Sequence, residues 1–443
     1  MSTRQGPVKT RGRDAMGYGL AFLHRLARLP VLDQFGLRKT TERAVFQATR
    51  TGFKTRGAVT RAFTPARKPT EPARLPAATS GGLFDLTPTD DQQMMVEVVR
   101  GFAAKQLRPA AAEANDTASA PKDLLEKTSE LGLHHIGVPE ALGGAGDERS
   151  AITNVLVAEE LARGDMGLAV ACLAPTAVST ALTLWGNEEQ QATYLPAFVS
   201  DQVPTAALAV LEPRPMFDPF RLQTKARRTP EGFTLNGTKS LVPRAADAEL
   251  FVIAAELEGG PSLFLVESST AGLTIEAEPA MGVRAASMGR VVMDDLKLPG
   301  AALLATGDAY RECVDLSRLA WCALAVGTGQ AVLDYVIPYV NQREAFGEPI
   351  SHRQSVAFMV ADIGTELDGM RLVTYRAASR AAQGKPFGRE TALAHRLCAE
   401  RGMVIGSHGV QLLGGHGFVK EHPVERWYRD LRAIGVTEGG VLV

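Results

Sequence analysis

The sequence predicts an α+β fold that is mostly helical, because its hydrophobic period changes twice along the chain. From Leu86 to about Pro204, apolar residues recur at helical spacing. Between Thr205 and Leu304 they fall into short β-branched runs broken by Gly, Pro and Asp, the pattern of a small antiparallel sheet. From Asp308 the helical period returns in segments long enough for a C-terminal four-helix bundle. The expected organisation is a basic arm and linker at 1–82, an N-terminal α-domain at 83–204, a middle β-domain at 205–306 and a C-terminal α-domain at 307–443.

Residues 1–80 hold 16 Lys and Arg against 4 Asp and Glu, whereas the whole chain has a net charge of −1. The arm is therefore basic and the body acidic, so an anionic surface would meet the arm first. Within the arm, GYGLAFLHRLARLPVLDQFGL fits a basic amphipathic helix, suited to a membrane surface, a partner or the protein's own subunit. TPARKPTEPARLPAATSGG, residues 64–82, reads as an extended Pro-rich linker. In TPTDDQQMMVEVVRGFAAKQL, Thr87 and Pro88 are start signals, and Met94, Met95, Val98, Val99 and Phe102 are expected on one side. ITNVLVAEELAR and VSTALTLWG continue the helical stretch. FTLNGT, LFVIAAEL, SLFLVES, GLTIEAE and RVVMDDLKL are the candidate strands, and 308–342, 350–382 and 387–412 the long helices.

With 443 residues, 45% of them hydrophobic, the chain can bury a large core. Cys172, Cys313, Cys322 and Cys398 show no CxxC spacing and read as small core residues of a reducing compartment. No uninterrupted apolar run reaches the roughly 18 residues of a membrane span, and no cleavage-site pattern follows the arm's apolar stretch. The expected location is cytoplasmic, with peripheral contact at the inner face of the membrane through the arm. His408 and His416 lie eight apart without a further ligand, so no metal site is expected. His134 and His135 read as structural histidines. GGAG and LLGGHG lack the Lys-Ser/Thr of a phosphate loop.

The most informative residue is Glu438, the one carboxylate between Val436, Thr437, Gly439 and Gly440. The glycines let the backbone approach a ligand, and no sequence neighbour is a cation that would hold the carboxylate ionised. In a dry pocket its raised pKa would make it a stronger base toward a carbon-bound proton. The alternative is a solvated Glu on a terminal loop.

The order of segments and their motifs resemble the acyl-CoA dehydrogenase family over about 85–443. The matching motifs are LGLHHIGVPEALGGAG, AEELARGDMG, MGVRAASMGRVVMDDLKLP, QREAFGEPISHRQ, VQLLGGHGF and HPVERWYRDLRAIGVTEGG. Within the family the basic arm is similar to an actinobacterial branch. The resemblance implies a tetramer with FAD between subunits and electrons passed to an electron-transferring flavoprotein. It places Glu438 as the base that removes the α-proton of an acyl-CoA thioester while the flavin takes the β-hydride, leaving a trans-2-enoyl-CoA. Ser317 stands where some members carry the base instead. Arg343 and Phe346 match contacts to a neighbouring subunit's FAD, and Gln354, Gln411, Gly414 and Gly415 match its adenine and ribose end. Helix packing is the plain alternative for the last four. Asp315, Arg318, Thr437 and Gly439 match the surroundings of the thioester, with a solvated ion pair as the alternative for the first two.

Where the family carries hydroxyl and aromatic side chains against the flavin ring, this sequence departs from it. Leu211 replaces a Thr, and Met216 and Phe217 replace Gly-Ser. Leu241 replaces a shielding Trp, Pro243 a Thr at N5, and Gly440 the Thr two residues after the base. At about 1 kcal/mol for each lost hydrogen bond, three or four would weaken FAD binding by roughly two to four decades. Two readings follow: an active dehydrogenase, or a flavin-poor partner subunit of a hetero-oligomer that lends Arg343, Phe346 and Gln411 to a better-equipped homologue. A scaffold tethered to membrane or nucleic acid is a third. Nucleic acid is disfavoured, because the arm lacks interleaved aromatics and the body is acidic.

Overall fold

The structure, a computed structural model, describes residues 87–135, 138–145, 150–200 and 202–443. The expectations for the arm at 1–82 lie outside the described residues. Helix α1, Asp90–Phe102, starts one residue after Thr89, whose side chain and that of Gln92 form a reciprocal capping box. The expected apolar side is narrower than its sequence suggested. Val99 is buried with Met95 and Phe102 packed beside it, a 4-then-3 spacing, while Met94 and Val98 are exposed at the rim. The segments α2, Arg108–Thr117, and α3, Lys122–Glu130, follow.

Next come α4, Ala151–Gly164, α5, Met166–Trp185, and α6, Glu188–Phe198. Asp165 ends one helix and caps the next by accepting from Leu168 N–H, and Arg426 Nε also bonds it at 2.9 Å. One buried carboxylate thus ties the first helical layer to the last. Helix α5 and the later α7 are each long and apolar enough to cross a membrane by composition. That corrects the expectation drawn from uninterrupted runs. Both are mostly buried inside the protein, because two helical layers and a sheet cover them.

The middle domain is an eight-stranded sheet. Its strands are β1 (Ala206–Ala209), β2 (Lys225–Thr229), β3 (Gly232–Val242), β4 (Leu250–Leu257), β5 (Gly260–Glu267), β6 (Leu273–Ala277), β7 (Gly289–Pro299) and β8 (Leu303–Thr306). The order is β6-β7-β3-β2-β4-β5-β8, with β1 beside β4. All five candidate runs form strands. The sheet is antiparallel except at β4, which β1 and β2 meet in parallel.

The C-terminal domain begins with α7, Asp308–Gln342, followed by α8, Gln354–Ala382, α9, Gly388–Leu413, and the short α10, Val424–Asp430. Three of these are long, so the fourth place in the bundle is filled from outside the domain. Glu159 of α4 accepts from Arg371 and Tyr375 of α8, at 2.9 and 2.7 Å. A junction cluster then joins the layers: Val178 and Leu182 of α5, Leu208 of β1 and Val210 just beyond it, Tyr310 and Val314 of α7, and Leu442. The chain's last residues are part of that joint.

Candidate functional site

The expected site residues form two groups with opposite surroundings. The first lies where α7 ends and α8 and α9 face each other. Arg343 closes α7, its backbone N–H donating to Tyr339 O. With Phe346, Gln411, Gly414 and Gly415 it lines a cleft of about 910 Å³, shared with Tyr339, Arg353 and Met359. Phe346 is 96% exposed and sits in the left-handed backbone region at φ 57°, with the Arg353 guanidinium 5.7 Å from its ring centroid. The helix-crossing reading of Gly414 and Gly415 fails, since a Cβ on either would meet nothing within 4 Å. Gln354 starts α8 beside Arg353 but does not line the cleft.

The second group is buried. Glu438 sits on a short extended segment, its side chain only 10% exposed. Burial pushes its carboxyl above the usual range, and the Arg318 guanidinium pulls it part of the way back. Arg318 reaches Glu438 from α7 in a bidentate pair, with Nε 2.9 and 3.1 Å from the two carboxylate oxygens. This corrects the expectation that no cation attends the base. The cation lies 120 residues away in sequence, and only the packing of α7 against the last segment brings it there. The alternative reading, an ion pair of Asp315 with Arg318, does not hold, since Arg318 pairs with Glu438. Asp315 lies one turn earlier on α7, with its carboxylate against Gly388 at the start of α9, and burial raises its pKa.

Neighbouring bonds hold the segment in place. Ser317 Oγ donates to Gly439 O at 3.1 Å, and Trp321 Nε1 donates to the same oxygen at 2.8 Å. Ser317 and Trp321 are one helical turn apart on α7, so both point the same way. The hydroxyl of Thr437 donates to Ala433 O at 2.8 Å and is committed to its own turn. Gly440 N–H donates to Leu208 O at 3.1 Å, and Gly439 bridges Ala209 of β1. Sequence reading missed Trp321 in this role; its i, i+4 relation to Ser317 was the available signal.

Of the residues expected to face a flavin ring, Leu211, Pro243 and Gly440 are buried, Phe217 and Leu241 partly so, and Met216 is exposed. Gly440 lies on Pro243, a Cβ on it falling 3.5 Å from the proline ring, and Gly439 is tighter still against Val210. Val441 and Val443 join the main helical core with Leu241 packed against it, and Leu442 joins the junction cluster. Beneath lies a fully buried ion pair, Lys239 Nζ to Glu212 Oε1 at 3.0 Å, in which burial pushes the ammonium down to about 8. The open cleft fits the adenine and pyrophosphate end of FAD: two guanidinium forks, a Gln amide and glycines without side chains. The ring end, as packed, does not fit a flat three-ring group.

Among the other expectations, His134 is structurally satisfied, with Nδ1 2.9 Å from Thr176 Oγ1. All four cysteines are buried.

Comparison with known proteins covers nearly all of the described chain. Residues 89–202 match the family model for the acyl-CoA dehydrogenase N-terminal domain, 207–296 the middle domain and 308–440 the C-terminal domain. The short/branched chain specific acyl-CoA dehydrogenase of Rattus norvegicus is 32% identical over 362 residues, 79% of this chain and 83% of that protein. The butyryl-CoA dehydrogenase of Megasphaera elsdenii aligns with a TM-score of 0.73 at 29% identity, covering 80% of this chain and 95% of that one. A glutaryl-CoA dehydrogenase from Mycobacterium smegmatis, solved in complex with FADH2, aligns with a TM-score of 0.71 at 25% identity, covering 78% and 90%. FAD is the cofactor of this family. By sequence, domain order and fold, the chain belongs to the acyl-CoA dehydrogenase family.

Proposed function

We propose that the chain works in the α,β-dehydrogenation of an acyl-CoA thioester to a trans-2-enoyl-CoA, with Glu438 as the base for the α-proton. The observation that carries this reading is the carboxylate itself. It is nearly buried at the end of a short segment, and its pKa is raised by the loss of water. A proton next to a thioester is only weakly acidic, so its removal needs a base held within reach and donors on the carbonyl oxygen. Ser317 stands where a second carboxylate could serve and cannot act as a base, which leaves Glu438 as the group for the task.

Glu438→Gln keeps shape and hydrogen bonding while removing the base. Turnover of an acyl-CoA by the flavin-loaded protein is expected to fall by roughly 10²–10⁴, the usual worth of a positioned general base. Unchanged turnover, with the fold intact by circular dichroism, would reject the assignment.

A second reading is favoured by the closed ring end. The chain would then be the flavin-poor subunit of a hetero-oligomer, lending its cleft to the FAD of a homologous partner. Flavin stoichiometry of the chain purified alone and with a co-expressed homologue separates the two. Assembly as a tetramer, electron delivery to an electron-transferring flavoprotein, a cytoplasmic location and peripheral membrane contact through residues 1–80 belong to the same proposal.

A further inference from the structure

Between α3, α5 and the edge of the sheet domain lies a further cavity of about 1100 Å³. Neither Glu438 nor the residues named for the α7–α9 cleft line it. Thr128, His134, Cys172 and Pro175 form the buried part of its lining, and Arg244 joins them from the turn after β3. Arg318 and Arg371 are, like Arg244, partly buried, and each meets a carboxylate, at 2.5 and 2.9 Å. Arg244 does not. Its Nη2 donates to Thr205 Oγ1 at 2.9 Å, and among the described residues no carboxylate lies within 4 Å of its guanidinium. Loss of water pulls the group below its usual range without removing the charge.

The backbone at Arg244 is unusual as well. It lies in the left-handed region at φ 51°, which a residue with a side chain keeps only where its surroundings hold it. Its N–H donates to Ala286 O at 2.8 Å, and its carbonyl accepts from Asp247 N–H at 3.0 Å, closing the turn. Nothing at the buried end balances the cation. Burial pushes His134 down to about 4 and the Cys172 thiol up to about 11, so both are neutral near pH 7. Glu126, Glu130 and Asp247 also line the cavity, but they are exposed, where water and salt screen them. A sheltered cation without a counter-charge, facing a cavity, is a receptor for an anion.

We propose that this cavity binds a small organic acid, its carboxylate paired with Arg244 and its apolar body against Leu125, Pro175 and Val203. Charge matching favours a carboxylate over a phosphate. One guanidinium fork satisfies one carboxylate in two parallel bonds, whereas a phosphate carrying nearly two charges would leave one of them unmet. Binding is reversible, and no bond is made or broken. The proposal does not rest on the dehydrogenase reading, because the two sites share no residue.

The test uses the full chain and saturation-transfer NMR, with butyrate, butyramide and inorganic phosphate as separate probes. Wild type should bind butyrate saturably in about the millimolar range, as suits a ligand of that size. Butyramide, which has the shape without the charge, and phosphate should each bind at least about tenfold more weakly. Arg244→Gln should weaken butyrate about tenfold, the worth of one charge-assisted bond, and Arg244→Lys should recover part of the loss. Thr205→Val removes the hydroxyl that steadies the guanidinium and should weaken butyrate about threefold. Arg318→Gln should bind butyrate as wild type does, which separates this cavity from the base end. No butyrate binding to wild type overturns the site, and so does equal affinity in Arg244→Gln or a loss confined to Arg318→Gln. Phosphate binding as tightly as butyrate overturns the carboxylate assignment. Should Arg244→Gln not fold, Thr205→Val carries the test, and unchanged affinity there overturns the proposal.

Discussion

The cleft at the ends of α7, α8 and α9 and the base-bearing end near β1 are both expected to meet FAD, yet they are built in opposite ways. The cleft is open, with Arg343, Gln411, Gly414 and Gly415 exposed, Phe346 96% exposed, and Ile350, Val356 and Met359 among its apolar walls. The base end is closed and mostly apolar, with Gly439 to Val443 buried and a single ion pair at its centre. The cleft's residue types match the family pattern. The departures (Leu211, Phe217, Leu241, Pro243 and Gly440) belong to the ring side, and three of them, Leu211, Pro243 and Gly440, are buried. The difference teaches that where the family carries hydroxyls at the base end, this chain sets Gly440 against Pro243 in a packing contact.

The largest effect is expected beneath the closed end. Glu212→Ala would strand the Lys239 ammonium in the interior, and breaking a buried pair from one side costs about 3–5 kcal/mol. Urea unfolding should show it, and a loss under about 1 kcal/mol would mean that the ammonium finds another partner or water. Next comes the open side. Arg343→Ala removes an exposed fork and should weaken ADP or FAD binding by about tenfold to a hundredfold, as for a charge-assisted bond. Its unfolding midpoint should hardly move. If stability falls and binding does not, the cleft is a packing feature and the comparison breaks.

The smallest effect is a displacement along the pH axis. Activity that depends on ionised Glu438 rises with pH through the pKa of that carboxyl, which burial holds above the ordinary range and Arg318 lowers. Removing Arg318 takes away the lowering influence and leaves the burial, so in Arg318→Gln the acidic limb should move to higher pH. A limb that stayed put, or moved down, would show that the pair is absent in the working enzyme.

Much of this fold was legible from period alone. The five strand runs and the long helices 308–342, 350–382 and 387–412 correspond to observed elements within a few residues. A stripe of apolar side chains has to find a partner layer, and that requirement is written locally. Where the stripe was ambiguous the reading slipped, as at Met94 and Val98, because width depends on the neighbour and α4 offers a narrow one. The parallel entry of β1 and β2 at β4 was equally unreadable, since strand order follows from which loops cross the sheet. Within the site, the importance of Glu438 could be seen from its apolar company, and its partner could not. Asp315 and Arg318 match a family motif together, with an ion pair between them as the plain alternative, whereas the partner of Arg318 comes from the far end of the chain.

By itself the sequence determined the layers, the family and the identity of the groups available for chemistry, because periodicity and residue type are properties of short segments. Tertiary structure decided which charges meet and which surfaces stay open. It paired Arg318 with Glu438 across 120 residues, set Trp321 over Gly439, and left Phe346 bare. Electrostatic attraction and exclusion of water act through space over a few ångströms, so their outcome is fixed only once the layers have closed.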